Sequence, residues 1–112
     1  TFISTAVKES PLANSKTNIP TKYALYQNYP NPFNPTTEIT YQLPKFNHVD
    51  VSIYNVMGQK IATLVNKTQV AGTYRVLWNG KSETGESMPS GIYFYKLQTN
   101  DYRLVKKMLL SK

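Results

Sequence analysis

The sequence predicts an all-β fold, a small antiparallel sandwich of six or seven strands. From residue 37 onward, window after window alternates apolar and polar residues with a period of two, as half-buried strands require. Clusters of Gly, Asn, Pro and Ser separate these windows at short, fairly even spacing, and no window carries a helical period. The aromatics agree: there are 9 Tyr against 4 Phe and 1 Trp, and tyrosine and β-branched residues favour strands.

Residues 1–7 (TFISTAV) alternate like a short strand, either an edge strand or the tail of something upstream. Residues 8–22 are rich in Ser, Thr, Asn, Lys and Pro and read as a flexible linker, so the compact module is expected over 23–112. Residues 37–43 set Ile39, Tyr41 and Leu43 on one face and Glu38, Thr40 and Gln42 on the other, and Pro44 ends the run. A second strand covers 49–56, with Val49, Val51 and Ile53 toward the core. Asn55 to Gly58 then turns, because Gly58 tolerates positive φ. A short third strand spans 60–65. Ala71 and Gly72 turn into 73–78, where Tyr74, Val76 and Trp78 share a face and Trp78 is the expected centre of the core. A polar loop (NGKSETGESMPSG) follows. Residues 91–99 form the next strand, with Tyr93, Tyr95 and Leu97 inward and Ile92 and Phe94 outward. Asn100 and Asp101 make a hairpin turn, and 103–110 return antiparallel.

Ahead of the first clear strand lies Tyr29-Pro30-Asn31-Pro32-Phe33-Asn34-Pro35. Each proline fixes its own φ and biases the preceding residue away from the helical region, and Asn31 and Asn34 favour turns. The segment is therefore a stiff, non-helical lead-in that delivers the chain into its strand in one orientation.

At 112 residues, with 40% hydrophobic and 17% charged residues, the chain is one small domain able to bury a core. It has no cysteine, which excludes a disulfide framework and thiolate metal ligation. No apolar run reaches the length of a membrane helix. The chain opens at Thr1 without Met or a charged-then-apolar leader, as expected for a piece of a longer protein. Net charge is +7 and pI about 9.6. From residue 96 to the end, five basic residues (Lys96, Arg103, Lys106, Lys107 and Lys112) face one acid, Asp101, so +4 of that charge sits in the last strand region. A basic surface meets nucleic acid, anionic lipid or polysaccharide, or an acidic receptor, and no nucleic-acid motif accompanies this one.

Side chains for chemistry are sparse. The single histidine, His48, falls in the expected hairpin loop 46–49 with no second imidazole or thiol to complete a metal site. The acids Glu9, Glu38, Asp50, Glu83, Glu86 and Asp101 are scattered. Glu83 and Glu86 share one loop without EF-hand spacing. There is no Gly-x-Ser-x-Gly and no phosphate-binding glycine loop, so neither catalysis nor a cofactor is expected. Aromatics remain to be accounted for. Tyr23, Tyr26, Tyr29 and Phe33 cluster before the first strand, and they either seal the core and lead-in or form a row on which sugar rings stack, as in a carbohydrate-binding accessory module of a secreted hydrolase.

The segment YQNYPNPFNPTT (residues 26–37) closely resembles the opening signature of the type A C-terminal sorting domain of the type IX (Por) secretion system. Later segments occur in the family's order: VSIYNVMGQKIA (51–62) is similar to its strand-turn-strand, GTYRVLWNG (72–80) to its Gly-to-Trp strand, PSGIYFYKL (89–97) to its Pro-x-Gly-x-Tyr segment, and KKMLLSK (106–112) to its basic-apolar terminus. Asn31, Pro32, Phe33, Asn34, Pro35, Gly58, Gly72 and Trp78 are the structural signature within this resemblance, which covers 23–112. It implies a seven-stranded immunoglobulin-like sandwich, related in appearance to the Ig-like part of flagellar hook-capping proteins. It also implies a position at the C-terminus of an exported protein of Bacteroidetes-like bacteria. The cargo domain would lie N-terminal in the same chain and cross the periplasm to the medium or the outer cell surface. The partners implied are the type IX translocon or its shuttle and a sortase-like peptidase, with no cofactor, no nucleic acid and no membrane span.

A sorting signal must be portable, and a preformed sandwich ending in a basic strand supplies that. The expected recognition element is an edge hairpin of 91–97 and 103–112. Pro89, Gly91 and Tyr93 are counted with it as recognition residues, Lys106, Lys107 and Lys112 steer docking, and Met108, Leu109 and Leu110 either add apolar or strand-addition contacts or simply complete the core. On that expectation, removing the last five residues abolishes export and leaves the module folded. Cleavage would fall within residues 8–22 or upstream.

Overall fold

The computed structural model describes residues 19–112. Seven strands form two antiparallel sheets: β1 (Ala24–Leu25), β2 (Thr37–Leu43) and β5 (Gly72–Trp78) in the order β1-β2-β5, and β3 (Asn47–Tyr54), β4 (Lys60–Gln69), β6 (Gly91–Gln98) and β7 (Arg103–Leu110) in the order β4-β3-β6-β7. No helix occurs among the described residues. The all-β sandwich read from the alternation is the observed fold. Its seventh strand is Ala24–Leu25; the strand expected over residues 1–7, and residues 8–18 of the expected linker, lie outside the described residues.

Every face assigned from the period-two pattern is found. Ile39, Tyr41 and Leu43 from one sheet meet Val49, Val51, Ile53, Tyr93, Tyr95 and Leu97 from the other, all buried. Trp78 lies at the centre, its ring 5.7 Å from that of Phe33 and 5.4 Å from that of Tyr93 in tilted and edge-on arrangements that suit the ring quadrupoles. The core tyrosines share one arrangement. Core tyrosines bury their rings and lay the hydroxyl on a rim acceptor: Tyr74 on the Val70 carbonyl, Tyr93 on the Pro89 carbonyl, Tyr41 on Gln69 Oε1.

β3 and β4 depart most from the sequence reading, and β3 also ends at Tyr54 rather than at residue 56. β3 begins at Asn47, so His48 stands in a strand, exposed and opposite Thr68, with its Nε2 2.7 Å from Asn66 Oδ1. β4 runs on to Gln69, because the polar Asn66–Gln69 stretch pairs with Asn47–Asp50 and buried Gln69 accepts the Tyr41 hydroxyl. Pairing partners decided both cases, and no local pattern encodes them. The Asn55–Gly58 turn forms as expected: Gly58 has φ +82°, and Asn55 Oδ1 accepts the N–H groups of Met57 and Gln59.

Candidate functional site: the C-terminal hairpin and its clamp

β7 is the outer strand of the four-stranded sheet, and its only strand partner there is β6, from Gln98↔Arg103 to Gly91↔Leu110. Its alternation divides its roles. Leu104, Lys106, Met108 and Leu110 point toward the other sheet, whereas Arg103, Val105, Lys107 and Leu109 point to solvent. Met108 is 1% exposed and Leu110 0%. Of the two readings of these residues, completing the core is the one that their burial fits; Leu109 is the apolar residue of the three that faces outward.

The proline-rich lead-in is laid against this strand. The Phe33 N–H donates to the Leu109 carbonyl (3.0 Å) and the Phe33 carbonyl accepts the Ser111 N–H (2.9 Å), a parallel bridge around Leu110. Asn31 Oδ1 accepts the Leu109 N–H (3.0 Å), and Gln27 Nε2 donates to the Lys107 carbonyl (2.8 Å). The Phe33 ring enters the core against Trp78, while Tyr29 and Tyr26 remain exposed. The peptide bonds preceding Pro30, Pro32 and Pro35 are cis. Pro35 in turn rests on the loop after Trp78: a Cβ on Gly80, whose φ is +76°, would stand 3.0 Å from the Pro35 carbonyl oxygen. Signature residues far apart in sequence thus meet at the outer half of the last strand.

The Pro89-x-Gly91-x-Tyr93 segment also closes on itself. The Tyr93 hydroxyl donates to the carbonyl of Pro89 (2.7 Å), and burial pushes its pKa above the ordinary phenol value. Ser90 Oγ accepts the N–H of Lys112 (3.0 Å), which fixes the terminal residue beside this segment. Pro89, Gly91 and Tyr93 line a shallow cleft of about 270 Å³ with Val56, Ile61 and Met88. Gly72 opens β5, opposite Leu43.

Around the opposite end of the hairpin, Asp101 Oδ1 accepts from the Tyr23 hydroxyl (2.7 Å), Asn47 Nδ2 (2.9 Å) and the Thr99 hydroxyl (3.1 Å), and its Oδ2 lies 3.0 Å from Lys45 Nζ. The Tyr23 hydrogen bond, followed by that of Lys45, holds the carboxyl down at about 2. The Tyr23 ring stacks on Tyr102 at 4.6 Å. The hairpin turn is thereby tied to Tyr23, just ahead of β1.

Of the basic residues, Arg103, Lys107 and Lys112 are exposed, and Lys96 and Lys106 are partly so. Among the described residues none of them has a carboxylate within ion-pair distance. Lys96 Nζ stands 4.9 Å from the centre of the Tyr54 ring. The loop acid Glu83 caps a strand edge, accepting the Thr63 N–H at 2.8 Å. Among the described residues no three His, Cys, Asp or Glu side chains come together to hold a metal, and no helix is long and apolar enough to cross a membrane.

Comparison with solved structures gives the same sandwich in other proteins. Dimeric latent PorU from Porphyromonas gingivalis matches with TM-score 0.62 and 19% identity over 75% of this chain and 9% of that one. PorZ, a surface component of the type IX secretion system of the same organism, matches with TM-score 0.51 and 18% identity over 80% and 11%. FlgD from P. aeruginosa matches with TM-score 0.54 and 21% identity over 81% and 76%. The chain spans about a tenth of the length of the two Por proteins, and at these identities the likeness is one of fold. A search of curated protein sequences gives no match. The family described as the secretion system C-terminal sorting domain matches residues 27–111, the span from the start of the clamp to the residue that closes it. That match places the chain in the secretion system C-terminal sorting domain family.

Proposed function

We propose that the module is a non-catalytic address, read from the β6–β7 hairpin by the type IX translocon or its shuttle. Lys107 and Lys112 steer docking with help from half-buried Lys106, and Leu109 supplies an apolar contact. Met108, Leu110, Pro89, Gly91 and Tyr93 act from beneath, by holding the hairpin in shape. The observation that carries this is the clamp: Asn31 and Phe33 fix the last strand so that its unopposed cations stand at defined positions on a sheet edge. A rigid display loses little conformational freedom on docking, which favours recognition. The cargo lies N-terminal in the same chain, passes through the periplasm to the medium or the cell surface, and is freed by a sortase-like peptidase cutting within residues 8–22 or upstream.

The test is export of a fluorescent reporter fused to residues 1–112 behind an N-terminal signal peptide, in hosts with and without a working type IX translocon. Release that depends on the translocon is expected, and the size of the released reporter locates the cut. Retention in the periplasm of both hosts, with the module folded, overturns the proposal in favour of a sugar-binding or spacer module.

A further inference from the structure

The two outer faces of the sandwich differ in chemistry. On the three-stranded sheet Glu38, Thr40 and Gln42 pair across with Leu77, Arg75 and Thr73, a polar surface with one apolar member. On the four-stranded sheet Tyr54 pairs with Phe94, and Ile92 with Leu109, on the outward side. Ile92, Val105 and Leu109 are 42%, 51% and 39% exposed. Tyr54, Val56, Phe94 and Val105 line a cleft of about 260 Å³. An antiparallel sheet that faces water is ordinarily polar on that side, and a contiguous apolar patch rimmed by charge marks an interaction site. The rim here is basic: Lys107 stands opposite Phe94, Lys96 opposite Val105, and Arg103 opposite Gln98. Asp50 is the only acid in the four strands, and it accepts the Ser52 hydroxyl.

β1 packs near the edge beside this cleft, but half of that edge is left without main-chain hydrogen bonds among the described residues. In an antiparallel ladder alternate residues turn both main-chain groups away from the partner strand. On β7 these are the odd-numbered residues, because the Leu109 N–H and carbonyl and the Lys107 carbonyl bond to the lead-in. The same alternation directs the main-chain groups of Arg103 and Val105 outward, and among the described residues nothing pairs with them. A lipid surface has no use for such an edge, and a second copy of a chain with net charge +7 is repelled by the same rim. We infer that the outer face of the four-stranded sheet, with the open half of β7, receives an extended acidic segment of a partner protein. The segment adds as a strand beside Arg103–Val105, with its carboxylates against Lys96, Arg103 and Lys107 and an apolar side chain in the Tyr54–Phe94–Val105 cleft. This rests on the hairpin's role as the docking element and narrows its partner to one chemistry.

The test is a titration of the isotope-labelled full chain, followed by amide NMR, with three probes: an extended peptide of alternating Glu and Val, the same peptide with Lys for Glu, and phosphatidylcholine–phosphatidylglycerol vesicles. The Glu peptide is expected to shift the amides of Tyr54, Phe94, Arg103 and Val105, and the Lys peptide to leave them in place. Val105→Pro removes only an outward N–H, so it spares the β6 ladder and should weaken binding about tenfold, the worth of roughly one main-chain hydrogen bond. Lys96→Glu combined with Arg103→Glu gives the same loss through solvated side chains, should the proline variant not fold. Equal binding of the Lys peptide, vesicles shifting the same amides, or Arg103 and Val105 amides already protected from exchange in the free chain each overturn the inference. The reporter assay separates the two readings. Undiminished export of the Val105→Pro fusion sinks the groove and leaves the sorting role intact, whereas failure of the wild-type fusion sinks the sorting role while the titration still decides the groove.

Discussion

Phe33 holds Leu110 between two main-chain hydrogen bonds: its N–H reaches the carbonyl of Leu109 and its carbonyl takes the N–H of Ser111. The residue at the centre of the proline-rich signature and the last core residue of the chain are therefore one structural unit. Phe33→Ala removes the ring from beside Trp78 and should cost about 3–5 kcal/mol, read as a lowered denaturation midpoint. Asn31→Ala leaves the core intact and removes one acceptor from β7, so a loss of about 1 kcal/mol is expected. A larger loss for Asn31→Ala than for Phe33→Ala would contradict this division between core and clamp.

Removing the last five residues should unfold the module, contrary to the expectation from sequence. The cut takes Met108 and Leu110 out of the core, and each fully buried side chain of this size is worth about 2–5 kcal/mol against a domain stability of roughly 5–15 kcal/mol. Circular dichroism of the truncated chain checks this. The cleaner probe of recognition is Lys107→Glu with Lys112→Glu. Both side chains are exposed, so stability should hold within about 0.5 kcal/mol while translocon-dependent export falls.

Gly80→Ala should be more harmful than Gly58→Ala. Both glycines have positive φ, which costs a side chain about 1–2 kcal/mol. At Gly58 the added methyl meets open space, whereas at Gly80 it meets the Pro35 carbonyl oxygen at 3.0 Å. Equal effects in chemical denaturation would show that Pro35 is free to give way.

Tyr95 donates its hydroxyl hydrogen to the Tyr26 carbonyl (2.8 Å) and accepts the Asn28 N–H (2.9 Å), and burial pushes its pKa up to about 12. Tyr95→Phe strands both main-chain groups and should cost about 1–3 kcal/mol. Because the folded pKa lies above the ordinary phenol value of 10.0, the stability this group contributes is full below that value and is lost as pH rises toward about 12. Ultraviolet titration of the folded chain should show a late-ionising tyrosine that is absent from Tyr95→Phe.

Asp101 gives the opposite limb. Its folded pKa of about 2 lies below the ordinary 3.8, so its contribution is present above the ordinary value and is lost as pH falls toward 2. Asp101→Asn should flatten the acid limb of the stability curve across that window. An unchanged limb would mean that the Tyr23, Asn47 and Lys45 contacts do not hold the hairpin turn in solution.

Period two and the spacing of turn residues determined the sandwich, the inward faces of β2, β3, β5 and β6, and the centrality of Trp78, because side-chain alternation in a half-buried strand is a local property of the chain. The sequence also carried the family resemblance, since its segments recur in order along the chain. Only the tertiary structure decided which members of the terminal run are buried, because Met108, Leu109 and Leu110 are all apolar and register across β6 assigns their faces. It decided that the Asn66–Gln69 stretch extends β4, since Asn47–Asp50 supply its partners from across the turn. It alone brought Asn31 and Phe33 to the last strand. Hydrogen bonds between residues nearly eighty positions apart leave no periodic trace in sequence, and they follow from how the two sheets pack.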